Sequence, residues 1–142
     1  MDLKNTEKIF QCFADKKVLI IGDVMIDSYM EGKVDRISPE APIPIVSIKG
    51  RENRLGGASN VARNIKSLGA VPIMCSVIGD DKNGAEFKSL LVDAGMTTDG
   101  IISSKKRRTT VKTRVISNSQ HLLRVDEEDT SALDNETEKN FT

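Results

Sequence analysis

Apolar and polar positions change period several times along the chain, and each change marks the boundary of an element. VLIIG at 18–22 and VPIMCSVIG at 71–79 are compact runs rich in β-branched residues, the pattern of strands buried on both faces of a parallel sheet. GIIS at 100–103 predicts a third such strand. Between the first two, Val61, Ala62, Ile65 and Leu68 recur at helical spacing, and Gly69 stands where a C-terminal glycine stops a helix, which predicts a helix over 58–68. Phe87, Leu90, Leu91 and Ala94, closed by Gly95, predict a second over 84–94. Strand, helix, strand, helix, strand predicts an α/β fold: a parallel sheet with right-handed crossovers and helices packed on it.

The remaining segments have a different texture. Asn5 to Asp15 places Ile9, Phe10 and Phe13 on one side and predicts a short amphipathic helix capped by Asn5 or Thr6. Residues 30–55 alternate charged and β-branched residues around Pro39, Pro42 and Pro44, which exclude a helix, and PIVSIKG from Pro44 reads as an exposed strand. TTVKTRVIS and HLLRV flank Asn118-Ser119 and predict an antiparallel hairpin. With residues 30–50 it makes a small β lid over 30–50 and 109–125. DEEDTSALDNETEKNFT predicts the start of one more helix, capped by Thr130 or Ser131.

Charge narrows the function classes. Lysine plus arginine number 21 and aspartate plus glutamate number 21, so no large field favours nucleic acid or an anionic membrane. KKRR at 105–108 reads as a solvated turn between strands rather than a nucleic-acid patch. The charged MDLKNTEKIF lacks the apolar core of a signal peptide, and no run approaches the roughly 18 apolar residues that span a bilayer, so secretion and membrane insertion are not expected. Cys12 and Cys75 lie in apolar surroundings outside any CxxC or CxxH cluster and read as plain buried thiols of a cytoplasmic protein. His121 has no cysteine or histidine partner in the sequence, and no metal site is predicted.

Candidate chemistry centres on Gly56-Gly57 directly before a helix. Glycine lets a ligand approach the backbone, and the helix N-terminus presents unpaired N–H groups suited to hydroxyls or anions. A glycine turn entering a helix accounts for the same residues. The segment is neither GxxxxGK[ST] nor GxGxxG, so a Walker loop and a dinucleotide fingerprint are both unsupported.

Gly56-Gly57-Ala58-Ser59-Asn60-Val61-Ala62, followed by Gly69 and Gly79, resembles the first signature of the phosphofructokinase-B/ribokinase family, and the order of strands, lid and helices extends that resemblance from Lys17 to Asp126. The resemblance implies a ribokinase-like fold and an ATP- and Mg2+-dependent sugar kinase. It makes Asp27 in GDVMIDSY the carboxylate that binds sugar hydroxyls, joined by the Gly56-Gly57 backbone and Asn60. Met25 stands where ribokinases carry asparagine, which argues against ribose itself. DRISPEAPIPIV at 35–46, VKTRVIS and HLLRVD are most similar to members that phosphorylate C1 of D-glycero-D-manno-heptose 7-phosphate, a step toward ADP-heptose and lipopolysaccharide core precursors. Candidates for holding that substrate's phosphate are Arg36, Arg63, Lys112, Arg114 and Arg124, with Lys112 and Arg114 preferred. Those two are expected on opposite faces of their strand, so that one at most faces the sugar. Homodimerisation through the lid is a further implication.

In this family a GAGD-like motif in the second half supplies an anion hole and the catalytic aspartate, and no such motif occurs between residues 1 and 142. No catalytic residue is therefore assigned here. Residues 1–142 are expected to be the sugar-binding half, inactive and without bound ATP or Mg2+ when separated from a C-terminal ATP-binding half. The alternatives are another sugar kinase of the family, or a non-catalytic sugar-phosphate-binding or dimerisation module.

Overall fold

The computed structural model describes residues 3–14 and 16–141. Its first sheet is built from β1 (Lys17–Ile21), β4 (Val71–Gly79) and β5 (Ile101–Ser104), all parallel in the order β1-β4-β5. The second joins β2 (Val24–Ile37), β3 (Pro44–Gly57), β6 (Val111–Ser117) and β7 (Gln120–Glu127) in the order β3-β2-β6-β7. Here β2 pairs parallel with β6, while β2/β3 and β6/β7 are antiparallel. Around the sheets lie α1 (Leu3–Gln11), α2 (Ala58–Ser67), α3 (Lys82–Asp93) and α4 (Asn135–Phe141). The predicted parallel core, its two helices and the lid are all present.

Both sheets share one core. Phe87 and Leu91 of α3 and Ala62 of α2 are fully buried against Met74 and Ile78 of β4 and Ile26 of β2. Placing large apolar side chains at this junction ties the base of the lid to the parallel sheet. At the hairpin, Asn118 and Ser119 have φ of 49° and 64°, the left-handed pair that a two-residue turn between twisted strands requires.

Several expectations need correction. β1 is not buried on both faces: it is an edge strand, with Leu19 57% and Ile21 63% exposed. An apolar run reports that a strand can be covered, not that a neighbour is present to cover it. α1 begins at Leu3, so Asn5 and Thr6 lie inside it rather than at its cap, and Asp15 falls outside the described residues. α4 begins at Asn135 and not at Thr130 or Ser131. Its cap is Asp134, whose Oδ1 accepts from Glu136 N at 3.1 Å and Thr137 N at 3.2 Å. The Thr137 hydroxyl, then the Thr137 N–H and the Lys106 ammonium, hold the Asp134 carboxyl down at about 2. Cys12 is exposed and Cys75 half-buried, so the plain buried thiols are not found. The lid is longer than predicted, since β2 starts at Val24 and β3 runs unbroken into α2. Among the described residues no helix is long and apolar enough to cross a membrane.

Candidate functional site

Strand alternation sorts the lid into two faces. Ile26, Leu55 and Val111 point into the core. The registers Asp27↔Arg54, Asp27↔Lys112 and Lys112↔Asp126 form one cross-strand row, and Glu52–Tyr29–Arg114–Arg124 form the next on the same face. Lys112 and Arg114 thus share a face. Two residues restore the side-chain direction on a strand, so the expectation of opposite faces is wrong.

This face is a charge network. Arg114 Nη1 donates to Asp27 Oδ1 at 2.5 Å and to the Lys112 carbonyl at 3.3 Å. Lys112 Nζ donates to Asp126 Oδ2 and to Glu128 Oε2, both at 2.9 Å. Glu128, then Asp126, raise the Lys112 pKa, and Lys112 in turn lowers that of Asp126. Tyr29 lies between two guanidinium groups, Arg54 at 4.8 Å and Arg114 at 5.4 Å from its ring centre. Lys112 is therefore occupied by carboxylates, and Arg114 by Asp27.

Gly56 leaves the sheet bare beside Asp27: a Cβ there would stand 2.5 Å from Asp27 Oδ2 and 2.8 Å from Met25 Cγ. Gly57 has φ 60° and ψ −136°, and a Cβ on it would meet the Asp23 carbonyl at 2.5 Å. Both glycines are needed for close approach and backbone shape, and no side chain caps α2. Asn60 is exposed in the first turn of that helix. Ser59, fully buried, donates to the Gly56 carbonyl at 2.5 Å and anchors the turn.

At the base of the polar face is a cleft of ≈ 340 Å³, bounded by Asp23 after β1, Val77 of β4, Met25 and Lys112 of the lid, and Arg107 and Arg108 after β5. It lies outside the carboxyl ends of parallel strands, where α/β sheets bind ligands. Of the six predicted residues only Lys112 lines it; Asp27, Gly56 and Arg114 stand higher on the same face, and Gly57 and Asn60 at the start of α2. The KKRR turn is more than a solvated loop. Arg107 is half-buried and donates to the Asp129 carbonyl at 3.1 Å. Arg108 lines the cleft with no ion pair to it among the described residues.

Sequence reasoning missed Arg107 and Arg108 because a run of four basic residues carries no information about which of them turns inward. It also missed Asp81. That carboxylate caps α3 by accepting from Gly84 N at 2.7 Å, and it binds Thr109. Burial raises the Asp81 pKa, but the Thr109 and Gly84 N–H groups, the Thr109 hydroxyl and the Asn83 N–H outweigh it and leave the carboxyl below 3.8. Among the described residues no group of three or more His, Cys, Asp or Glu side chains is placed to hold a metal ion, so none is assigned to magnesium.

A parallel α/β sheet whose carboxyl ends face the polar side of a β lid defines a ribokinase-like architecture. The chain belongs to the pfkB family of carbohydrate kinases, whose family model matches residues 15–142. It is 46% identical over 126 residues to bifunctional protein HldE of Helicobacter pylori, a match covering 89% of this chain and 27% of that protein. To D-beta-D-heptose 7-phosphate kinase of Bordetella bronchiseptica it is 49% identical over 113 residues, covering 80% of this chain and 36% of the kinase. The chain thus spans about a quarter to a third of these relatives' length. Solved structures with the same fold include a carbohydrate kinase from Agrobacterium tumefaciens, with TM-score 0.63 and 23% identity over 79% of this chain and 35% of that one. Ribokinase from Cryptococcus neoformans in complex with ADP has TM-score 0.55 and 24% identity, covering 80% of this chain and 34% of that one.

Proposed function

We propose that the full-length protein is a cytoplasmic kinase that phosphorylates C1 of D-glycero-D-manno-heptose 7-phosphate with ATP and magnesium, on the way to ADP-heptose. Residues 1–142 form its sugar-binding half, and the ATP-binding parts belong to the remaining length. The observation that carries this reading is one lid face that presents Asp27 above a cleft lined by Arg108. Arg108 makes no close ion pair among the described residues and shares the cleft wall with Asp129, whose carboxyl is held below the usual range by Ser131 and, less strongly, by Arg108. Asp27 Oδ2 beside the bare Gly56 backbone suits sugar hydroxyls, with Gly57 and Asn60 at the adjoining helix start. Arg108 suits the phosphate already on the substrate. Lys112 and Arg114 hold the face in shape through their carboxylate partners. The name of the Bordetella bronchiseptica relative, D-beta-D-heptose 7-phosphate kinase, supports a phosphorylated heptose over other sugars.

A sugar panel on the full-length protein tests this. Heptose 7-phosphate is expected to give the highest kcat/KM, and Arg108→Ala to lower it roughly tenfold, the loss of one charge-assisted phosphate contact. Better turnover of a free sugar or of another sugar phosphate would reassign the substrate within the family.

The lid also supports pairing of two copies. β7 lies at the sheet edge, with Leu122, Leu123 and Val125 at 40%, 58% and 44% exposure, and small ribbons with an open apolar edge tend to associate. Light scattering of the full-length protein is expected to give twice the chain mass. A sharply monomeric mass at high concentration would count against a lid dimer.

A further inference from the structure

We propose that Asp81 and Thr109 form a clamp that positions Arg108 in the cleft, which makes Asp81 a positioning residue for selection of a phosphorylated substrate. The proposal rests on the reading of Arg108 as the phosphate contact. Its physical basis is independent of any ligand.

Asp81 does two jobs with one carboxylate. Oδ1 accepts from Gly84 N at 2.7 Å, capping α3, and from the Thr109 hydroxyl at 2.8 Å. Oδ2 accepts from Thr109 N at 2.8 Å. Thr109 is 1% exposed, and its Oγ1 accepts in turn from Gly79 N at 3.0 Å. The residue after Arg108 is therefore fixed on three sides, to the end of β4 and the start of α3, elements 30 and 28 positions away in sequence.

Packing closes the same joint. A Cβ on Gly79 would come 2.6 Å from Thr109 N and 2.8 Å from the Arg107 carbonyl, and one on Gly84 would lie 3.0 Å from Thr109 Oγ1. Backbone of the basic turn thus lies directly against the β4–α3 junction. On the other side, Arg107 holds the Asp129 carbonyl at 3.1 Å. Arg108 stands between these two anchors, so its backbone is fixed while its side chain stays open to the cleft. An arginine held in advance loses less freedom on meeting a phosphate than one on a free turn.

Two substitutions separate the clamp from the helix cap. Asp81→Asn keeps an oxygen for Gly84 N but sets an NH2 group against Thr109 N–H, two donors face to face. Asp81→Ser keeps a good N-cap and is too short to reach Thr109. In the full-length protein both variants are expected to raise KM for heptose 7-phosphate roughly tenfold, the scale of one lost phosphate contact, with kcat within a factor of about two. Calorimetric binding of the dephosphorylated heptose is expected to be unchanged. If both variants weaken the two sugars equally, or neither, the positioning role is wrong. A wild-type protein that does not favour the phosphorylated sugar would instead strike the reading of Arg108. In that case amide exchange without ligand decides: faster exchange at Thr109 with α3 still protected in Asp81→Asn supports the clamp, and unchanged exchange at Thr109 overturns it.

Discussion

Asp27→Ala in the full-length protein is expected to lower kcat/KM for heptose 7-phosphate by roughly 30- to 1000-fold, because two lost carboxylate–hydroxyl bonds cost about 2–4 kcal/mol. The geometry says which oxygen matters. Oδ1 is engaged by Arg114, and Oδ2 is the oxygen beside the bare backbone of Gly56. A sugar laid against that glycine meets an acceptor whose charge is held in place from behind. KM is expected to rise, and kcat to fall as the reacting hydroxyl loses its orientation. Asp27→Asn, which keeps the acceptor oxygen and loses the charge, should fall between wild type and Ala. Arg114 loses its charged partner in both variants, so a thermal melt belongs beside the kinetics. Retention of wild-type kcat/KM by a folded Asp27→Ala protein would remove Asp27 from the site.

The core was legible because its signals are local. The period of Val61, Ala62, Ile65 and Leu68, with Gly69 after them, specifies a helix within one turn of where it stands. The Asn118-Ser119 turn needs only its own two residues. What was not legible depends on partners distant in sequence. β1 has the composition of a central strand and stands at an edge, because the chain that would cover it is not encoded in VLIIG. The parallel pairing of β2 with β6 brings Asp27 to Arg114 across 87 positions, and no spacing rule anticipates it. Arg108 was hidden for the same reason: its direction is set by Thr109 binding Asp81, a contact across 28 positions. The family resemblance proposes Gly56 and Gly57 from its signature and Asp27 from its place after the first strand. The lid register showed that Asp27, Gly56, Lys112 and Arg114 lie on one face.

Residues 1–142 purified alone are expected to release no ADP when incubated with ATP, magnesium and heptose 7-phosphate, and to be less stable than the same residues within the full-length protein. Phosphoryl transfer needs a positioned base, stabilisation of the moving charge and orientation of the acceptor. Asp27, the glycine pair and Arg108 address only orientation, and the family resemblance places the base and the anion hole in the second half. The stability argument starts from β1. Leu19 and Ile21 are 57% and 63% exposed on an edge strand of a three-stranded sheet, and covering such side chains contributes about 1.5–3 kcal/mol each. An open, apolar edge of this kind is where the rest of the sheet is expected to join. The paired variant Leu19→Lys with Ile21→Lys separates the two states. In the full-length protein it is expected to cost several kcal/mol, on the order of burying unpaired charge, and in the isolated chain within about 0.5 kcal/mol of nothing. Equal losses in both lengths would mean that β1 stays open in the longer protein. ADP release by residues 1–142 at a rate near that of the full-length kinase would mean that these residues hold a nucleotide site of their own.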